Sequence, residues 1–212
     1  MKGVIFDMDG VLTDSEAVWQ KYWNKAAEER GLSLPEEFKY EICGSSGQAM
    51  INTIKKYYHT DDGEAVLYEV AGNYMEELNR HVPEKPYIHE VLPWLKQQGY
   101  KIAVASSSSL EIIHRNLKYV DIEKYFDHIV SGQQVAHGKP APDIFLLAAE
   151  KLELPPEECY VLEDAFNGIK AAHAAGCKPV MVIDLVRPTE QIRELCYLVC
   201  ESLDEFKNDI SN

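Results

Sequence analysis

Short apolar runs recur along the chain, each leading into a polar turn: Val4-Ile5-Phe6, Ile102-Ala103-Val104-Ala105, His128-Ile129-Val130, Tyr160-Val161-Leu162 and Val180-Met181-Val182-Ile183. They do not alternate with polar residues, which is the pattern of strands buried on both faces, as in a parallel sheet. Helical spacing fills the gaps between them. Pro86 to Gln98 carries Ile88, Val91, Leu92 and Leu95 and stops at Gly99. Leu110 to Lys118 carries Ile112, Ile113 and Leu117, and Pro142 to Leu152 runs up to Pro155-Pro156. Ala165 to Ala175 ends at Gly176, a residue suited to a C-terminal cap. Pro188 is a good opening residue and predicts a last helix running to about Leu203. The alternation after residue 86 predicts a doubly wound, Rossmann-like parallel α/β sheet.

Residues 15 to 83 break this rhythm. They hold three helical stretches, Ser15 to Arg30, Gly47 to Tyr58 and Gly63 to Arg80. Ser33 to Gly44, with Pro35 inside it, reads as an interrupted connection, and Val82 to Pro86, with two prolines, as a hinge. The expected organisation is an α/β core of residues 1–14 and 84–212 with an inserted all-helical domain of residues 15–83. Asp14 is placed to cap the first inserted helix, and Trp19 and Trp23 share one face of it.

Composition narrows the class. The 212 residues are 46% hydrophobic and 26% charged, ordinary usage for a soluble globular protein. The formal charge of −14 repels phosphate backbones and anionic lipids, so neither a nucleic acid nor a membrane surface is expected as a partner. No apolar run approaches the roughly 18 residues of a membrane span. Asp7 and Asp9 fall where a signal peptide would carry its apolar segment. The five cysteines form no CxxC pair, and Cys196 and Cys200, four apart, read as one face of the last helix. A cytoplasmic, monomeric protein with reduced thiols is the expectation.

In an open α/β sheet, ligands bind beyond the carboxyl ends of the strands. The first strand is followed by Asp7-Met8-Asp9-Gly10, the second by Ser106 to Ser109 and the fourth by Glu163-Asp164, while Gly138-Lys139-Pro140 lies between the third and fourth. Four crowded carboxylates do not all stay ionised unaided. A hard divalent cation relieves them, and all-oxygen ligation suits Mg²⁺. A metal, a lysine and hydroxyl donors match the oxygens of a phosphoryl group, which one carboxylate can attack. Each feature also has a plainer reading: Asp-Gly is a common turn pair, the serines can cap a helix, and Glu163-Asp164 can cap the next one. Asp143 either orients Lys139 or simply begins a helix.

Together these residues resemble the haloacid dehalogenase superfamily. The resemblance rests on Asp7-x-Asp9-Gly10-Val11, Ser106 at the end of an apolar strand, Lys139 in Gly-Lys-Pro-x-Pro, and Glu163-Asp164 followed by Ala165-Phe166-Asn167-Gly168. It covers the chain almost end to end and is nearest to small phosphatases and β-phosphoglucomutase-like enzymes with a helical cap, the insert of residues 15–83. It implies that Asp7 is the nucleophile and a metal ligand. It implies that Asp9 is the general acid/base, with its backbone carbonyl on the metal. Ser106, with the Ser107 backbone N–H, and Lys139 would bind the phosphoryl group. Asp164 would hold Mg²⁺, and Glu163 would do so directly or through water.

The expected activity is a Mg²⁺-dependent phosphatase of a small phosphorylated metabolite, of which sugar phosphates are one class, acting through an aspartyl-phosphate. Sugar-phosphate mutases of the family carry an arginine in the cap loop, where Gly44 to Gln48 stand here. No arginine lies between Arg30 and Arg80, and Lys55 and Lys56 are the conceivable substitutes. Trp19 also replaces an expected cap histidine. A mutase, and a phosphate-ligand-binding protein with little turnover, are the alternatives.

Overall fold

The computed structural model of the chain describes residues 2–43, 45 and 47–211. Its strands are β1 (Gly3–Phe6), β2 (Lys101–Ser106), β3 (His128–Ser131), β4 (Cys159–Glu163), β5 (Lys178–Val182) and β6 (Leu198–Cys200). Among the described residues they form one parallel sheet in the order β3-β2-β1-β4-β5-β6. Registers centre on β1, whose Ile5 pairs with Ala103 on one side and Val161 on the other. Order reverses at β1, so the crevice at its carboxyl end is the topological switch point.

The chain divides into two units, Met1–Thr13 with Glu84–Asn212, and Asp14–Pro83. In the first, α5 (Ile88–Gln97), α6 (Leu110–Tyr119), α7 (Asp143–Lys151), α8 (Phe166–Ala174), α9 (Glu190–Arg193) and α10 (Leu203–Ser211) accompany the strands. Phe145 and Ala148 of α7 and Ala171 and Ala172 of α8 bury against Ile5, Ala103 and Val161 on one face. Side chains alternate along a strand, so Tyr160 points to the other face. There the Phe206 ring of α10 meets Tyr160 edge-on, with centroids 5.8 Å apart. Helices on both faces make the fold doubly wound. Where the chain leaves and re-enters this unit, Thr13 and Glu84 pair as an antiparallel bridge and Lys85 N–H donates to Leu12.

The second unit is helical: α1 (Ser15–Glu28), α2 (Glu36–Ile42), α3 (Gly47–Tyr58) and α4 (Gly63–Arg80). Its core is aromatic. Trp19 stacks on Trp23 at 5.6 Å and on Tyr74 at 4.1 Å, and Trp23 meets Phe38 edge-on. The Tyr58 hydroxyl donates to the Trp23 carbonyl at 2.6 Å. Asp14 stands at the N-cap of α1, but its side chain makes no capping bond; Asp62 does cap α4, accepting from Ala65 N–H at 3.0 Å.

Two further expectations are corrected. Ser33 to Gly44 is not a mere connection, because Phe38 and Ile42 lie one turn apart on α2 and bury, a two-residue stripe that suffices once Trp23 is there to receive it. The single helix expected from Pro188 to Leu203 is instead α9, β6 and α10. Thr189 rather than Pro188 opens α9, accepting from Ile192 N–H, and the helix stops after four residues. The chain then extends so that Leu198, Val199 and Cys200 pair with β5. Cys200 is thus in a strand, and the face expected to join it to Cys196 does not form. Gly44 and Ser46 of the expected cap loop lie outside the described residues.

Candidate active site

β1 delivers Asp7 directly: its N–H continues the ladder by donating to Leu162 at 2.9 Å, and the residue is buried. The chain then folds back on itself. Leu12 and Thr13 N–H groups both donate to Met8, Gly10 N–H donates to Thr13, and the buried Thr13 hydroxyl donates to Met8 as well. This turn needs a left-handed residue at Gly10, where φ is +79°. A side chain at Gly10 would also overlap the Asp164 carboxylate.

Lys139 joins the strands' ends. Its Nζ donates to Asp7 Oδ1 and to Glu163 Oε1, both at 2.5 Å, and reaches the Ala105 carbonyl at 3.5 Å. Glu163 is held from its other oxygen by Ala165 N–H at 3.0 Å. It packs so closely under α8 that a side chain at Gly168 would overlap it. Asp7, Glu163 and Asp164 each offer an oxygen within 4.8 Å of the others.

The serine loop closes the group. Ser106 is buried at the end of β2, and its hydroxyl accepts from Ser108 N–H at 3.1 Å, which leaves its own hydrogen to donate. Ser107 is exposed at the loop's tip, and Ser109 caps α6. The Ser108 hydroxyl donates to Asp9 Oδ2 at 3.4 Å. Asp143 begins α7 and pairs with His137 at 3.0 Å.

Electrostatics explain what the group lacks. Burial, reinforced by Glu163 and Asp9, pushes the Asp7 carboxyl up to about 8, although Lys139 pulls the other way. Burial alone would lower the Lys139 ammonium, but Asp7 and Glu163 outweigh it and hold its pKa above the usual lysine value. One ammonium among this many carboxylates leaves negative charge uncompensated. The residues therefore fit a hard divalent cation: the donors are all oxygens, they converge, and Asp7 ionises readily only when more positive charge arrives.

The structure thus gathers Asp7, Asp9, Ser106, Lys139, Glu163 and Asp164 at one sheet edge. Sequence reasoning gave no role to Gly168, Ser108 or Ser131. A glycine inside a helix costs about 1 kcal/mol against alanine, and that cost was the available signal for Gly168. The serine contacts join residues far apart in the chain and had none.

The haloacid dehalogenase-like hydrolase family profile matches residues 4–182. The chain belongs to that family. It is 33% identical over 184 residues to a phosphorylated carbohydrates phosphatase of Thermotoga maritima, covering 85% of this chain and 84% of the relative. It is 32% identical over 222 residues to the β-phosphoglucomutase of Bacillus subtilis, covering 97% and 95%. Among solved structures, a haloacid dehalogenase family hydrolase from Deinococcus radiodurans with bound phosphate and sodium superposes with a TM-score of 0.83 at 26% identity, covering 100% and 95%. Named relatives of this haloacid dehalogenase-like chain are thus phosphoric monoester hydrolases and a sugar-phosphate mutase.

Proposed function

We propose that the chain is a Mg²⁺-dependent phosphatase of small phosphorylated metabolites, sugar phosphates first among them. The observation that carries this reading is Lys139 bridging Asp7 and Glu163 at 2.5 Å beside the oxygens of Asp164. An ammonium so placed can neutralise charge between an attacking carboxylate and a phosphoryl group. Asp7 attacks phosphorus, the bond to the ester oxygen breaks, and Asp9 gives that oxygen its proton. Water then attacks the aspartyl-phosphate, Asp9 takes a proton from it, and phosphate leaves. Ser106 and the Ser107 N–H hold phosphoryl oxygens meanwhile. Asp7, Asp164, the Asp9 carbonyl and Glu163 would hold the Mg²⁺, which supplies further positive charge against the phosphoryl oxygens. The helical unit is the cap on which substrate choice depends.

The relatives named as carbohydrate and fructose-1-phosphate phosphatases support the substrate class. The relative named β-phosphoglucomutase keeps a second reading alive, in which a sugar hydroxyl rather than water receives the phosphoryl group. Against it, Lys56, one candidate for the missing arginine, is tied to Glu41 at 2.7 Å. A reduced, cytoplasmic setting and a monomer suit five free thiols and a strongly acidic chain.

The test is phosphate release from a panel of sugar, polyol and nucleoside phosphates, with Mg²⁺ or with a chelator. Release that needs Mg²⁺ and disappears in Asp7→Asn is expected. Release only in the presence of a sugar bisphosphate would favour the mutase, and undiminished turnover by Asp7→Asn would overturn the mechanism.

A further inference from the structure

The chain leaves the α/β unit after Thr13 and re-enters it at Glu84. The returning segment has little backbone with which to fasten itself. Pro83 and Pro86 have no N–H to donate, so Glu84 and Lys85 carry the N–H groups between them. Lys85 N–H donates to the Leu12 carbonyl at 3.0 Å, and Glu84 pairs with Thr13. Leu12 and Thr13 in turn close the bend that carries Asp9 and Gly10: both donate to the Met8 carbonyl, and the Thr13 carbonyl accepts from Gly10 N–H at 2.8 Å. The Lys85 side chain reaches elsewhere, to the end of β5. Its Nζ donates to Asp184 Oδ1 at 2.7 Å, and Asp184 follows Ile183, whose N–H donates to the Cys200 carbonyl at 2.8 Å. The pair is buried. Its side chains are 15% and 9% exposed, close to the 11% and 10% of Lys139 and Asp7 and unlike the 68% and 62% of Arg187 and Glu201. Taking two charges out of water cancels much of their attraction, so such a pair adds little stability over apolar residues of similar size. What it does fix is position, at a point where residues 99 apart in the chain meet.

We infer that Lys85 and Asp184 form a clamp that holds the returning segment against the turn after β1, and that both are positioning residues for the catalytic groups on that turn. Lys85 is held at two ends, by its backbone on Leu12 and by its side chain on the end of β5. The turn cannot shift without moving Lys85, and Lys85 cannot move without parting a buried ion pair and leaving its charges uncompensated. The clamp's effect on activity rests on the phosphatase reading above; the clamp itself does not. Ser106 and Lys139, the groups assigned to the phosphoryl oxygens, belong to other segments, the end of β2 and the loop before α7. A loosened turn should therefore slow the chemistry and leave phosphate affinity almost unchanged.

The test is a variant that keeps the fold and loses the clamp. Lys85→Met/Asp184→Leu replaces the ion pair by apolar side chains and is expected to melt within about 4 °C of wild type. Amide hydrogen exchange of the full chain in Mg²⁺ buffer reads the turn directly. The N–H groups of Gly10, Leu12, Thr13 and Lys85 are expected to exchange at least about tenfold faster in the double variant, with the amides of β1 and β4 within about twofold of wild type. On the best sugar phosphate of the panel, kcat is expected to fall about 10- to 100-fold, up to the scale of a misplacement near 1 Å, while the inhibition constant of inorganic phosphate stays within about threefold. Asp184→Asn keeps the shape and one acceptor oxygen. It is expected to move exchange and kcat the same way by a smaller factor, and it decides the matter where the double variant does not fold. Wild-type exchange at the four amides would overturn the clamp. Faster exchange with wild-type kcat would overturn the positioning role, and so would a parallel loss of kcat and phosphate affinity, which marks a support of the whole site. A wild type inactive on the entire panel overturns the phosphatase reading alone, and the exchange rates still decide the clamp.

Discussion

Gly168 lies in α8, under the Glu163 carboxylate. Replacing it by alanine puts a methyl group where that carboxylate now stands. Glu163 is buried and committed at both oxygens, to Lys139 and to Ala165 N–H, so it cannot yield without dragging the lysine off Asp7. Gly168→Ala is expected to lower kcat/KM about 100-fold, the scale of a misplacement near 1 Å, and to lower stability by about 1–3 kcal/mol through overpacking. Steady-state kinetics and a thermal melt check both, and a variant with unchanged kinetics would show that Glu163 has room to move. Asp7, Asp9, Ser106 and Asp164 were legible in the sequence because each sits at or just past a strand end beside a polar turn, whereas Lys139, eight residues beyond β3, stood out through the Gly-Lys-Pro-x-Pro stretch that resembles the family. The Gly168 and Ser131 contacts were not. They depend on the depth at which α8 packs and on a bond from the Ser131 hydroxyl to the Ser108 carbonyl, which no local pattern encodes.

At the scale of elements, α10 and β6 hold the sheet's outer edge together. Phe206 is fully buried, with Tyr160 beside it. Phe206→Ala is expected to cost about 3–5 kcal/mol, the lost transfer of the ring plus the cavity it leaves, and to lower the urea midpoint accordingly. A shift under about 1 kcal/mol would mean that α10 collapses into the space. This is also the region that periodicity misread. Ile192, Leu195 and Val199 keep helical spacing, so the stretch looks like one helix. A strand as short as β6 has too few residues to show its own period, and it exists because β5 offers unpaired backbone groups along its free edge. The five longer strands needed no such help from a neighbour to be recognised. α2 was missed for a related reason: its two buried residues are meaningful only against the aromatic cluster that receives them.

Stability is a property of the whole molecule, and here the site's charge works against it. The chain carries −14 overall, and Asp7 adds a buried carboxyl pushed up to about 8 from an ordinary value near 3.8. Between those two values Asp7 holds its proton in the metal-free folded protein and has lost it in the unfolded chain. The contribution of Asp7 to stability therefore falls as pH rises from about 4 to about 8, then levels off. Asparagine has nearly the same shape and cannot ionise. In chelator, Asp7→Asn is expected to melt only slightly above wild type at pH 5, and higher by on the order of 5 °C at pH 8.5. Saturating Mg²⁺ at pH 8.5 should narrow that gap from the wild-type side, because a cation that binds the folded site stabilises it by mass action and Asp7 ionised is one of its ligands. Melting curves at the two pH values, with and without Mg²⁺, decide the matter. Parallel curves for the two proteins in chelator would show that Lys139 already compensates Asp7, and the case for a divalent cation would then have to rest on the convergence of oxygens alone.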